Sequence, residues 1–215
     1  MNRISRLRWW WQSTWGATLA GFGIHRPSRA TAAFKWNRPG PPPDFSKIPR
    51  PTWIIPDDEI GVAAGTRAML TVDERRAVAL IDCVGYSNGF EFTISYRTRD
   101  KLPLHRPGPF VEMEVHIVYP DGASAGRGTD AMDAHYEAAY VGAEPPIPNG
   151  PVVMPQRGGG TDKRHDFSFW GWPLPPDGPV TVTVAWAMAG LPATSAEIDA
   201  SAIHRAGLQS KKLWS

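Results

Sequence analysis

Cysteine is nearly missing from this chain. Cys83 is the only one in 215 residues, so no disulfide can close within it. That fits a reducing compartment, and a cytoplasmic location is the first reading. Cys83 lies in the apolar run Val78 to Val84 and reads as a buried structural thiol. A catalytic thiol needs an activating base, and none is evident. An excess of one charge is missing too. The formal net charge is +2, less than a nucleic-acid-binding domain of this size carries, so no specific nucleic acid is expected. GxSxG occurs twice, at Gly85 to Gly89 and at Gly122 to Gly126, but the first reads as a turn between two strands and the second as a small flexible segment, and neither is the strand-to-helix turn of a nucleophile elbow. No internal repeat is visible, which removes solenoids and propellers. No catalytic residue, metal ligand or cofactor is assigned.

Turn formers are plentiful. Gly 21 and Pro 22 make up about a fifth of the chain against roughly 12% in ordinary usage, which favours many turns over long helices. Residues 1 to 50 form a distinct region. Arg3, Arg6, Arg8, Arg26, Arg29, Lys35 and Arg38 meet no acid before Asp44, and Trp9, Trp10, Trp11, Trp15 and Trp36 lie among them. The uncharged stretch Trp9 to Ile24 falls short of the ~20 apolar residues of a bilayer span. The first reading is a disordered arm. An Arg/Trp segment making weak contact with anionic membranes comes second. An exported protein, cleaved near Ala30-Thr31-Ala32, comes third. Pro39 to Pro56 then reads as an extended, proline-rich connector.

From about Ala68 the pattern has period two, the strand signal. Arg76 to Asp82 and Phe90 to Arg97 read as an antiparallel pair around the turn Gly85 to Gly89. Phe90, Phe92, Ile94 and Tyr96 share one face, and Glu91, Thr93, Ser95 and Arg97 the other. Val111 to Tyr119 alternates again, with Glu112, Glu114 and His116 outward. Ala131 to Val141 is open between a short helix and an irregular edge. Val152 to Met154 reads as a short strand, and Asp166 to Trp172 as another. Pro173 to Pro179 makes a corner, and Val180, Val182, Val184 and Trp186 leave it on one face. Thr194 to Ile198 reads as a last strand, with Asp199 capping a helix that Gly207 stops. A capping box from Thr194 to Glu197 is the rival start. The spacing implies an all-β fold: an antiparallel sandwich, immunoglobulin-like or jelly-roll-like, over residues 51–215, with a short C-terminal helix.

Trp170-Gly171-Trp172-Pro173-Leu174-Pro175-Pro176-Asp177-Gly178-Pro179, with Trp186, Gly190-Leu191-Pro192, Glu197-Ile198-Asp199 and the upstream Gly89 to Thr93, resembles a family of proteins from high-GC, actinobacterial-type bacteria. The resemblance covers about residues 60 to 214 and brings no activity with it.

Arg157-Gly158-Gly159-Gly160, with Lys163 and Arg164, is the nearest approach to an anion cradle, because successive amides and three cations could hold one. A P-loop would open a helix, and this run leads into a strand, so a flexible hairpin loop is the first reading. Trp170 and Trp172, with Trp186, would make an aromatic platform for a sugar if exposed; core packing is the first reading. Asp130, Asp133 and His135 match no metal-site spacing and read as a solvated segment. His165 and Asp166 face opposite sides of a strand. Glu112 and Glu114 read as a wet sheet face and not an acid/base pair. The expected function is a non-enzymatic interaction or structural module that shows a sheet face or loops to a protein partner. A sugar- or ligand-binding domain is the alternative, and a hydrolase without a recognisable motif is the last.

Overall fold

The computed structural model describes residues 50–102, 113–128 and 130–214, all within the compact unit Asn37–Ser215. All but Arg50 of the arm read over residues 1 to 50, most of the loop after Leu102, Val111 and Glu112 lie outside the described residues.

Alternation builds two facing sheets. In the larger, β4 (Arg76–Gly85) pairs with β5 (Phe90–Thr98), β5 with β9 (Arg164–Trp172), and β9 with β8 (Val152–Gly160), all antiparallel. Two short pieces, β2 (Val62–Ala63) and β3 (Ala68–Val72), pair along the outer edge of β4. The smaller sheet has the order β11 (Leu191–Asp199), β10 (Pro179–Trp186), β6 (Met113–Val118), β7 (Ser124–Gly126). The chain crosses between the sheets after β5, β7 and β9. Strand order β4-β5-β9-β8 against β11-β10-β6-β7 is the immunoglobulin-type Greek key, so the topology selects that form over a jelly roll. The protein is an all-β antiparallel sandwich.

The inner faces are the ones the alternation assigns. Val78, Leu80, Phe90, Phe92, Ile94, Tyr96, Phe167 and Phe169 meet Met113, Val115, Ile117, Val180, Val182, Val184 and Trp186 in one core. Phe92 stacks on Phe90 and Phe169 at 5.5 and 5.6 Å, and Trp186 sets its edge against Tyr96 and Phe167, both at 5.1 Å. Such offset and edge-to-face pairs are the favoured aromatic geometries.

Helix α1 (Asp130–Tyr140) settles the segment that the sequence left open. Helix α2 (Ala200–Leu208) begins as expected, with Asp199 accepting from the Ser201 amide at 2.9 Å. Thr194 does not start it; its hydroxyl donates to Leu70 O. Gly207 is not the stop, because the helix runs past it. A Cβ there would stand 2.6 Å from Leu174 Cδ2, and a Cβ on Gly85 would stand 2.5 Å from the Gly207 amide. The two glycines let α2 lie directly on β4. Beyond the helix, β12 (Lys211–Lys212) pairs with β1 (Glu59–Ile60).

The connector reading is corrected at its end. Trp53 is fully buried and forms a second small core with Met154 and Trp170 on the outer face of β8 and β9. Asn88 Nδ2 ties this segment down by donating to Thr52 O and Ile54 O at 2.8 and 2.9 Å. Among the described residues no helix is long and apolar enough to cross a membrane.

Candidate functional site

The outer face of the larger sheet carries the polar half of the alternation. Thr93 lies opposite Ser168 in the β5–β9 register, and Ser95 opposite Asp166. The Thr93 and Ser168 hydroxyls are 3.1 Å apart and both residues are buried. Small side chains therefore make a floor at the centre of the sheet, with longer ones around it.

One wall is β8, where Gly158 and Gly159 contribute backbone only. A Cβ built on Gly159 meets nothing within 4 Å. Gly159 pairs with Asp166, so that open space lies on the outer face. The other wall is β4, which bulges between Ile81 and Val84. Asp82 sits in this bulge at φ 53°, a left-handed conformation that Asp tolerates better than most residues. Bulges re-aim side chains beside functional surfaces. Together Ile81, Asp82, Thr93, Arg157, Gly158, Gly159, Arg164, Asp166 and Ser168 line an open depression of about 350 Å³.

The charges are layered. Asp166 accepts from Arg97 Nη1 at 2.8 Å and from Arg164 Nη2 at 2.8 Å. Burial alone would raise its carboxyl, but the bonds from Arg97, Ser95 and Arg164 outweigh that and hold it below the usual carboxylate range. Arg157 reaches Glu91 at 3.1 Å; its side chain is 77% exposed and that of Glu91 12%. Arg164 is 61% exposed against 28% for Asp166. On the β8 and β9 side cations thus form the outer layer and acids the inner one, while Asp82 on the β4 wall is an exposed acid.

The anion-cradle reading is corrected in form. The glycine run is not a flexible loop: β8 continues through Gly160, and only Thr161 to Lys163 turn. Successive strand amides point in opposite directions and cannot converge on one anion as a nest does. Arg157, Gly158, Gly159 and Arg164 reach the depression, whereas Gly160 and Lys163 do not line it.

The aromatic platform is corrected too. Trp170 is fully buried, and its Nε1–H donates to Trp53 O at 3.0 Å. Trp172 is half-buried against the same cluster, and Trp186 lies in the main core. Asp130, Asp133 and His135 lie on α1. His135 is buried rather than solvated, with its ring 6.3 Å from Trp53. Among the described residues no group of three or more His, Cys, Asp or Glu could hold a metal. His165 is buried beside Phe167 and Trp186 while Asp166 faces outward, the opposition expected along a strand. Glu114 lies half-buried on the outward side of β6.

Sequence reasoning placed Thr93 and Ser95 on the outward face but did not single out the hydroxyl floor or Asp82. The signal was available in phase: Thr93, Ser95, Asp166 and Ser168 are the outward positions of two strands whose inward positions are aromatic or aliphatic. Chemically the depression offers hydroxyls, guanidiniums and bare backbone. Asp166 is a fixed anion that orients arginines and is poorly suited to exchange a proton at neutral pH. No family model, curated protein or solved structure matches this chain.

Proposed function

We propose that this protein is a non-catalytic binding module that takes a macromolecular partner on the outer face of its larger sheet. The observation that carries this reading is the depression beside Gly159, where backbone replaces side chains and leaves open space of about 350 Å³. Arg157, Gly158, Gly159 and Arg164 around it are exposed. A small molecule is mostly enclosed when bound; a depression open to solvent between two walls suits a side chain carried on a larger partner. The hydroxyl floor and layered charges supply polar specificity. Against the sugar-binding alternative, Trp170 and Trp186 are buried and Trp172 is half-buried.

The test is capture of partners from the native cells with the full chain and two variants. Gly159→Phe fills the depression, and Thr183→Arg alters the opposite outer face, where Thr183 bonds Ser195 at 2.8 Å. A partner held by the wild type and by Thr183→Arg but lost from Gly159→Phe supports the reading. A partner lost from Thr183→Arg and kept by Gly159→Phe moves the surface to the smaller sheet.

A further inference from the structure

β8 is the edge of the larger sheet. Among the described residues its other side carries only a bridge at its start, Arg127 to Val153, with Gly128 N–H donating to Val153 O. From Gln156 to Gly160 every residue is exposed. Natural sheets blunt such edges with proline, charge or a bulge. Here Pro155 and the bulge between Pro155 and Arg157 protect the first half only.

Thr161 N–H donates to Arg164 O at 2.6 Å, so 161 and 164 are a bonded pair. Bonded and non-bonded pairs alternate along an antiparallel ladder. Gly159 with Asp166 is then bonded, while Gly158 with Phe167 and Gly160 with His165 are not. The N–H and C=O groups of Gly158 and Gly160 therefore point away from β9, toward solvent. Two residues apart with the same orientation, they present the spacing that an added strand uses. Neither residue adds a side chain to keep a second backbone away.

Resting on the reading that this face binds a macromolecule, we infer that the partner's binding segment is an extended, acidic polypeptide strand that pairs with β8 along Gly158 to Gly160. Acidity follows from the charge at this edge: exposed Arg157 and Arg164 flank it with Lys163 at its turn, their partners Glu91 and Asp166 lie beneath, and the exposed acid of the depression, Asp82, stands on the far wall, β4. Alternate side chains of the added strand would point toward the depression, within reach of Arg157 and Arg164.

The probe is a synthetic ten-residue peptide of alternating glutamate and valine, tested against the full chain by amide hydrogen exchange and titration. The expected result is at least tenfold slower exchange at Gly158 and Gly160, with binding weakened as salt rises. The same peptide N-methylated at every second residue should leave these amides unprotected. Gly158→Pro removes one outward donor without removing a ladder bond and should cut binding at least tenfold. Exchange on the wild type stands whether or not that variant folds. Absence of protection by the acidic peptide overturns the inference, as does equal protection by an alternating lysine–valine peptide. Concentration-dependent protection without peptide also overturns it and assigns the edge to a second copy of the chain. Loss of cellular partners on Gly159→Phe, with no peptide protection, leaves the binding face standing while the strand-addition inference fails.

Discussion

Trp186→Ala probes the packing of the two sheets against each other. Trp186 is wholly buried on β10 and sets its ring edge-on to Tyr96, His165 and Phe167 at 5.1, 5.6 and 5.1 Å. Deleting a buried aromatic side chain costs about 3–5 kcal/mol. One feature lowers the figure: Trp186 Nε1 is buried without a hydrogen-bond partner among the described residues, and an unsatisfied group already costs about 1–3 kcal/mol. The expected loss is therefore near the lower end, about 3 kcal/mol, or roughly 6–12 °C in melting temperature for a domain of this size. Trp186→Phe keeps most of the ring contacts and discards the unpaired N–H, so it should cost less than about 1.5 kcal/mol. Urea unfolding measures both, with an unchanged slope showing that the same cooperative unit is being compared. A loss below about 1 kcal/mol for Trp186→Ala would refute the assignment of this residue to the shared core.

Trp170→Phe removes the donor to Trp53 O and leaves that buried carbonyl short of a partner; a loss of about 1–3 kcal/mol is expected in the same urea assay. Asp82→Val forces a β-branched residue into a left-handed conformation and should cost about 1–2 kcal/mol, while Asp82→Asn should change little. Asp166 has a carboxyl held low by Arg97, Ser95 and Arg164. A depressed carboxyl contributes stability above its unfolded value of about 3.9 and loses it as pH falls through the folded value. The stability difference between wild type and Asp166→Asn should thus be constant near pH 7 and shrink below about pH 4; a difference that grows on acidification would contradict the pairing.

The sandwich was legible because burial leaves a two-residue period. Phe90 to Arg97 and Val180 to Trp186 show it cleanly, and both strands lie where it puts them. Where side chains vanish the period vanishes too, so Gly158 to Gly160 read as a loop although the register with β9 makes them strand. Core packing was the first reading for Trp170, but nothing local says what it packs against on the outward side of its strand. Trp53, more than a hundred residues away in sequence, covers it, and no local pattern records so distant a contact. Gly207 read as a helix stop by its residue type, whereas its role is close contact with Leu174 and Gly85, again a tertiary fact. The depression depends on two such features at once, a bulge at Asp82 and missing side chains on β8, which is why only its glycines and arginines stood out beforehand.

Cross-linking from position 159 tests the binding face most directly. Gly159→Cys places a thiol in open space, and the native Cys83 will not compete, since burial, with Asp82 nearby, pushes its thiol up to about 12. A photoactivatable cross-linker on that cysteine, in the full chain and in extract from the native cells, should capture a discrete partner that the same label on Thr183→Cys does not. Equal capture from both positions, or capture from Thr183→Cys alone, would contradict the assignment of the binding surface to the larger sheet.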